Sequence, residues 1–112
     1  MHSQFKISWS KVAEMDLESI VDFISEESSL MALRILDKVH KTAISLKKSP
    51  FRGRVLPEFK NVRGLPFREL LIKPWRLIYK IDNKEVHIVA FLDSRRDLEE
   101  LLYERLIRGR AK

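Results

Sequence analysis

The sequence contains no cysteine, which excludes a disulfide framework, a thiolate zinc site and a cysteine nucleophile together. Its three histidines, His2, His40 and His87, are not spaced as metal ligands, so we expect neither a metal nor another cofactor. No apolar run approaches the roughly 18 residues needed to span a bilayer, and the first residues lack the apolar core of a secretory signal. These absences predict a cytoplasmic protein that does not bind membranes.

Length and composition indicate one folded domain covering residues 1–112. A chain of 112 residues is long enough to bury a hydrophobic core but too short for two domains. Hydrophobic residues make up 45% of the chain and charged residues 34%, which is typical of a globular protein and not of a disordered one.

Positive charge is concentrated in the middle of the chain. Residues 47–80 contain ten Lys and Arg against two acids, a net charge of +8, whereas residues 1–46 carry −2 and residues 81–112 are neutral. Clustered cations attract polyanions and acidic proteins. The segment therefore predicts a nucleic-acid or acidic protein partner, and simple solubility is the alternative explanation.

Hydrophobic periodicity predicts a strand followed by two helices. Residues 4–9 alternate between apolar and polar side chains, as a half-buried strand does. Ser10 is suited to cap a first helix whose apolar positions recur at helical spacing through residue 24. A second helical pattern runs from Ala32 to Leu46 and ends before Pro50. Because the polar link between the helices is short, we expect a helical hairpin.

The second half predicts three strands and a final helix. Strands are expected at residues 67–72, 75–81 and 85–92, and their short turns require antiparallel pairing. Residues 49–66 are rich in proline and glycine and predict an irregular connection. Ser94 is expected to cap a helix whose first turn holds Arg95 and Arg96, and the basic residues 105–112 are expected to fray. The order β-α-α-β-β-β-α predicts an α+β fold, with the hairpin on one face of a small, mainly antiparallel four-stranded sheet and a C-terminal helix.

The order and spacing of these elements resemble the RelE/ParE superfamily of toxins from type II toxin-antitoxin modules, often called plasmid stabilisation proteins. The likeness covers nearly the whole chain and rests on four segments: DLESIVDFI at 16–24, SPFRGRVLPE at 49–58, FRELLIKPWRLIYKI at 67–81 and DSRRDLEELL at 93–102. The resemblance implies a compact toxin that inhibits growth and that a cognate antitoxin holds inactive in a hetero-oligomer.

Two activities occur in this superfamily, cleavage of messenger RNA on the ribosome and poisoning of DNA gyrase. For the ribonuclease branch the resemblance assigns catalytic roles to Arg68, Arg76 and Arg96, and for a related subgroup to Glu58. The set is incomplete, because leucines stand where that branch has a second lysine and a tyrosine, and Glu58 lacks its C-terminal histidine partner. The GRxxPE link and the RDL ending are more similar to the gyrase branch. We therefore predict a ParE-like gyrase toxin, with a ribosome-dependent mRNA endoribonuclease and a non-toxic nucleic-acid-binding or adaptor module as alternatives.

Five cations are the predicted target-binding or nucleic-acid-binding residues. Arg76 and Lys80 lie four apart on a strand, hence on one face, and predict a cationic row on an exposed sheet surface. The helix dipole disfavours cations at the start of a helix. Arg95 and Arg96 are therefore expected to serve a purpose outside the helix, either in a basic groove or in ion pairs with nearby acids. We expect all five to converge on one anion-binding surface: Arg68, Arg76, Lys80, Arg95 and Arg96.

Structural roles are the alternative for several of these positions. Arg68 can instead pair with Glu69 or Glu85 across strands. Asp97 is expected to be a helix cap, and core packing is favoured over base stacking for three aromatic residues, Trp9, Trp75 and Tyr79. An exposed cationic sheet beside an apolar helical hairpin also predicts that the antitoxin segment is acidic and amphipathic and that it folds on binding.

Overall fold

The computed structural model describes residues 4–108, so His2 and the end of the basic tail lie outside the described residues. Its elements, in chain order, are β1 (Lys6–Trp9), α1 (Lys11–Ser25), α2 (Ser29–Ile44), β2 (Arg54–Val55), β3 (Phe67–Ile72), β4 (Trp75–Asp82), β5 (Glu85–Asp93) and α3 (Glu99–Leu102). Helix α3 continues with π-helical geometry through Tyr103–Ile107, and we call the two segments together the C-terminal helix. Within the described residues, no helix is both long and apolar enough to cross a membrane.

The sheet has the strand order β1-β5-β4-β3-β2. Strands β3, β4 and β5 form an antiparallel meander, and β1 joins β5 in parallel, with Ile7 opposite Val86. The predicted α+β fold with a mainly antiparallel sheet and a helical hairpin is confirmed. The sheet has five strands instead of four because β2 pairs with β3, and two residues are too few to show a period-2 pattern in the sequence.

Serine side chains cap the N-termini of both helices of the hairpin. The Ser10 hydroxyl accepts a hydrogen bond from the Ala13 N–H at 3.0 Å, and the Ser28 hydroxyl accepts one from the Met31 N–H at 3.0 Å. Each bond satisfies an N–H that has no partner inside the helix. The predicted cap at Ser10 is confirmed, and Ser28 fixes the start of the second helix in the same way.

Two hydrophobic cores lie on the two faces of the sheet. The first contains side chains from the hairpin and from one sheet face, among them Leu17, Val39, Leu77 and Phe91. The second lies between the opposite face and the C-terminal helix, and its buried residues include Ile78, Val89, Ala90, Leu98, Leu102 and Leu106. The leucine stripe of the C-terminal helix therefore covers the face that the hairpin leaves open.

The C-terminal helix begins later than the sequence predicts. Ser94 does not cap it; its hydroxyl donates to the Pro74 carbonyl at 2.7 Å and so ties the end of β5 to the β3–β4 turn. Asp97, expected to cap the helix, lies one residue before the N-cap position, which Leu98 occupies, and accepts from the Glu99 N–H at 3.2 Å. Arg95 and Arg96 therefore lie in the turn before the helix and not in its first turn.

Asp16 on α1 joins three elements. One of its carboxylate oxygens accepts from the Phe91 N–H at 3.0 Å and from Arg105 of the C-terminal helix at 2.6 Å. Strand β1 ends at Trp9, so this edge of β5 has no strand beside it at Phe91, and the carboxylate takes the place of a strand partner. Arg105 is thus held in place, so the expected fraying does not begin at this residue; residues 109–112 lie outside the described residues.

Candidate functional site

Arg68 and Arg76 lie on opposite faces of the sheet. The register of β3 and β4 places Arg68 opposite Tyr79 and Leu71 opposite Arg76. Because side chains alternate along a strand, Arg68 belongs to the face that carries the hairpin and Arg76 to the face that carries the C-terminal helix. The single anion-binding surface expected from the sequence is therefore not formed.

Arg76 is buried, with 5% of its surface exposed, and two glutamates hold it. Its Nε donates to Glu69 at 2.5 Å, and its two terminal nitrogens donate to the two carboxylate oxygens of Glu58 at 2.7 Å each. Glu69 also accepts from Arg54 Nε at 2.6 Å. These four residues, which we call the Arg76 network, contain two cations and two carboxylates and are neutral together. The expectation of an exposed cationic row was wrong for Arg76.

Contacts within the Arg76 network shift the pKa values of Glu58 and Arg76. The side-chain hydrogen bonds from Arg76 lower the pKa of Glu58, although burial opposes this. Burial disfavours the charged form of Arg76, but hydrogen bonds to Glu58 and Glu69 outweigh it and raise the pKa of the guanidinium. A general base needs an accessible lone pair and a pKa near the working pH. Both oxygens of Glu58 already accept from Arg76, so Glu58 is poorly suited to that role.

Arg68 binds backbone instead of a carboxylate. Its guanidinium donates to the carbonyl of Gly53 at 2.7 Å and to that of Phe51 at 3.3 Å. The same group lies 5.5 Å from the centroid of the Phe51 ring. The ion pairs considered from the sequence, with Glu69 or Glu85, are not formed. Arg68 thus fastens the irregular connection to the start of β3 while part of its side chain stays exposed.

Tyr79 is part of the core, as expected. Its hydroxyl donates to the Pro50 carbonyl at 2.8 Å and accepts from the Gly53 N–H at 2.9 Å, and burial raises the pKa of the phenol. A Cβ atom on Gly53 would lie 2.5 Å from the Tyr79 oxygen, so this close approach requires glycine. Trp9 and Trp75 pack against the same core, which confirms core packing for all three aromatic residues.

Lys80 shares a face with Arg76, but that face is largely covered. It lies opposite Phe67 on β3 and His87 on β5 and is half-buried. His87 in turn is hydrogen-bonded to the Ser8 hydroxyl at 2.7 Å, so this histidine has a structural partner.

Arg95 and Arg96 differ in their surroundings. Arg95 donates from Nε and one terminal nitrogen to Asp93, at 3.0 and 2.7 Å. The hydrogen bonds from Arg95 lower the pKa of Asp93 to about 2. Arg96 is exposed and, within residues 4–108, makes no ion pair. Of the two arginines, Arg96 is therefore the one with an unused charge.

A groove of about 430 Å³, which we call the α1 groove, runs between α1, the first residue of β4 and the last residues of β5. Its apolar lining consists of Ile20, Phe23, Ile24, Trp75, Phe91 and Leu92, and its polar rim of Asp16, Ser19, Asp93, Arg95 and Arg96. Phe23 has 71% of its surface exposed, which is unusual for so large an apolar residue unless a partner covers it.

A second groove of about 600 Å³, the acidic groove, lies beside the C-terminal helix. Its apolar residues are Phe59, Val62 and Tyr103, and its carboxylates are Glu58, Asp97, Glu99 and Glu100. Arg76 neutralises only Glu58, so three carboxylates remain on the surface beside the position that the resemblance assigns to catalysis. This surface repels a phosphodiester.

Glu69 was considered as a partner of Arg68 but not of Arg76, and no role was predicted for Arg54 or Asp16. A signal for Glu69 exists: period-2 alternation places it on the same face as Phe67 and Leu71, and a carboxylate at such a position requires a cationic partner. The pairing of Asp16 with Arg105 joins distant parts of the chain, and no local pattern marks it. Within the described residues, no three His, Asp or Glu side chains are placed to hold a metal ion.

Comparisons with known proteins agree with the geometry. The model of the family described as the ParE toxin of the type II toxin-antitoxin system, parDE, matches residues 7–98. A solved structure titled as the chromosomal ParDE TA system from P. aeruginosa superposes with a TM-score of 0.64 at 19% identity, covering 80% of this chain and 96% of that chain. A comparison with curated proteins finds no match. The chain therefore belongs to the ParE toxin family of type II toxin-antitoxin systems, within the RelE/ParE superfamily.

Proposed function

We propose that this chain is a growth-inhibiting toxin that acts in the cytoplasm by binding DNA gyrase, without cleaving RNA, and that a cognate antitoxin neutralises it. Membership of the ParE family supports the toxin role. The observation that carries the mechanism is the Arg76 network, because it commits the central arginine of the ribonuclease set to two glutamates in the interior.

Cleavage of RNA by a 2′-hydroxyl develops negative charge on the phosphoryl oxygens, which several guanidinium groups must stabilise together. Arg68 and Arg76 cannot meet at one phosphate, because the sheet lies between them. Arg96 lies at the rim of the α1 groove, on the side of the molecule where α1 packs. The three arginines therefore have no common phosphate site, and a mechanism based on binding fits the chain better than one based on RNA cleavage.

The α1 groove is the proposed site for the antitoxin. Its apolar lining suits one face of an amphipathic helix, and Arg96 at the rim offers a charge for an acidic residue of the same helix. The proposed occupant is therefore an acidic, amphipathic antitoxin segment that folds into the groove and covers Phe23 and Trp75. The ParDE structure, whose title names a toxin-antitoxin system, supports the existence of such a partner.

The target is tested by incubating the purified chain with DNA gyrase and relaxed plasmid, and separately with a reconstituted translation reaction. We expect loss of supercoiling and intact transcripts. Cleaved transcripts with normal supercoiling would establish the ribonuclease alternative instead. If overexpression in bacteria has no effect on growth, both toxin mechanisms fail and the adaptor module remains.

The antitoxin site is tested with Phe23→Asp and the antitoxin encoded beside this gene. Because Phe23 is exposed in the isolated chain, the substitution should leave the fold intact and weaken antitoxin binding about tenfold or more. Val62→Asp is the matched control, since Val62 has 52% of its surface exposed but lies in the acidic groove. If both variants weaken antitoxin binding equally, the loss is not specific to the α1 groove, and the proposed site is wrong.

A further inference from the structure

A third surface, outside both grooves, combines one exposed and one half-buried aromatic ring with cations. The rings of Phe5 and Phe51 meet edge to face, with centroids 6.4 Å apart. Lys84 Nζ lies 5.2 Å from the Phe5 centroid, and the Arg68 guanidinium lies 5.5 Å from the Phe51 centroid. We call this surface the aromatic patch; it lies at the end of the sheet where β3 and β5 begin.

Backbone contacts bring further cations to the aromatic patch. The Phe5 N–H donates to the Lys47 carbonyl at 3.0 Å, which fixes the start of the chain beside the end of the helical hairpin. Arg52 directly follows Phe51, and its guanidinium donates to the Ser45 hydroxyl. The patch therefore comprises two rings, the two cations that lie over them, and two cations on adjoining backbone: Phe5, Phe51, Arg68, Lys84, Lys47 and Arg52.

The charges of the aromatic patch are not used inside the protein. Within residues 4–108, none of its four cations forms an ion pair. Glu69, which follows Arg68, is bound to Arg54 and Arg76 instead. Asp82 and Glu85 flank Lys84 at the β4–β5 turn, and Glu85 lies 3.6 Å from His87. Phe51 has 60% of its surface exposed, so core packing does not account for it. Two carbonyls, those of Phe51 and Gly53, hold the Arg68 guanidinium in place and so fix its position relative to the Phe51 ring.

We propose that the aromatic patch binds single-stranded nucleic acid, with a base stacked on Phe51 and backbone phosphates on the surrounding cations. Aromatic side chains interleaved with cations bind single strands in this way, because every base offers a π-face and every nucleotide a phosphate. An acidic peptide fits less well, since the patch offers two rings and no apolar groove, whereas the α1 groove supplies one. The inference goes beyond the proposed function and holds whether or not the chain is a toxin.

The test measures fluorescence anisotropy of labelled oligothymidylate, oligouridylate and a DNA duplex, each about 20 nucleotides long, with the full-length chain. Both single strands should bind more tightly than the duplex. Phe51→Ala should weaken single-strand binding about 5- to 100-fold, and Phe51→Trp should preserve it. Lys84→Ala should reduce the steepness of the salt dependence of log affinity by about 0.7.

Two variants separate the aromatic patch from general charge and from misfolding. Lys73 lies in the β3–β4 turn, five residues from Arg68 along the strand or about 17 Å away; Lys73→Ala should leave binding unchanged. Phe51→Leu keeps an apolar side chain without the ring and should bind as weakly as Phe51→Ala. The proposal is overturned if Phe51→Ala binds within about twofold of the parent, if Lys73→Ala weakens binding as much as Lys84→Ala, or if oligoglutamate competes as well as oligothymidylate.

Discussion

Replacing Arg76 by alanine tests whether this arginine is structural. The substitution would leave the carboxylate of Glu69, with 1% of the residue exposed, bound only to Arg54, and would leave both oxygens of Glu58 without their donors. Removing one partner of a buried ion pair costs about 3–5 kcal/mol, because an uncompensated charge remains in the interior. We therefore expect Arg76→Ala to lower the free energy of unfolding by about that amount.

This loss is large compared with the total stability of a small domain, about 5–15 kcal/mol. The entropy of unfolding is about 2.1 cal/mol/K per residue, so for 112 residues each kcal/mol shifts Tm by about 4 °C. Arg76→Ala should therefore lower Tm by about 12–20 °C. Glu58→Gln should cost less, about 1–2 kcal/mol, because its side chain is 19% exposed and an acceptor oxygen remains.

Urea unfolding followed by circular dichroism gives these free energies, with Lys73→Ala as an exposed control expected within about 0.5 kcal/mol of the parent. The double variant Arg76→Ala/Glu69→Gln should lose less free energy of unfolding than the two single variants lose together, since the amide removes the unpaired buried charge. A loss below about 1 kcal/mol for Arg76→Ala, or strict additivity, would refute the reasoning. The cellular consequence is that toxicity of Arg76→Ala should follow the folded fraction of the protein.

Three further outcomes follow from the described contacts. Tyr79→Phe leaves the buried N–H of Gly53 unpaired and should cost about 1–3 kcal/mol in urea unfolding; a loss under about 0.5 kcal/mol would contradict it. The lowered pKa of Glu58 stabilises the fold at pH above its ordinary value of 4.5, and this contribution is lost as the pH falls toward the folded-state pKa, so Glu58→Gln should flatten the loss of stability in acid. Arg95→Ala should raise the pKa of Asp93 from about 2 toward 3.8 in an NMR titration, and an unchanged pKa would exclude Arg95 as the cause.

Local patterns were sufficient to predict most of the fold. The bounds of β3 agree with the prediction, and β4 and β5 each extend one residue further, because alternation and turn residues are encoded within a few positions. The parallel pairing of β1 with β5 joins residues about 80 positions apart, and no periodicity encodes such a choice. Ser94 resembled a helix cap in sequence but bonds the β3–β4 turn, which shows how tertiary contacts override a local signal.

The candidate site was less predictable, for a physical reason. Period-2 alternation correctly places Arg76 and Lys80 on one face, but it cannot show that the C-terminal helix will cover that face. Burial changes the role of Arg76 from target binding to ion pairing, because a guanidinium in the interior requires carboxylate partners. The same alternation places Glu69 on this face. A carboxylate there was the one sequence signal that Arg76 would be bound in an ion pair.

The Arg76 network also determines where the positive charge of the middle segment is available. Glu58 and Glu69 are the only acids in residues 47–80; Glu58 is bound to Arg76, and Glu69 to both Arg54 and Arg76. The net charge of +8 is therefore carried by the eight other cations of the segment, none of which has a carboxylate from its own segment to neutralise it. Three of these eight belong to the aromatic patch: Arg68 lies over the Phe51 ring, Arg52 follows it in sequence, and Lys47 is joined to Phe5 through its carbonyl. Part of the positive charge inferred from the sequence is thus available at one end of the sheet, while the face that was expected to display it is covered by a hydrophobic core and a neutral ion-pair network.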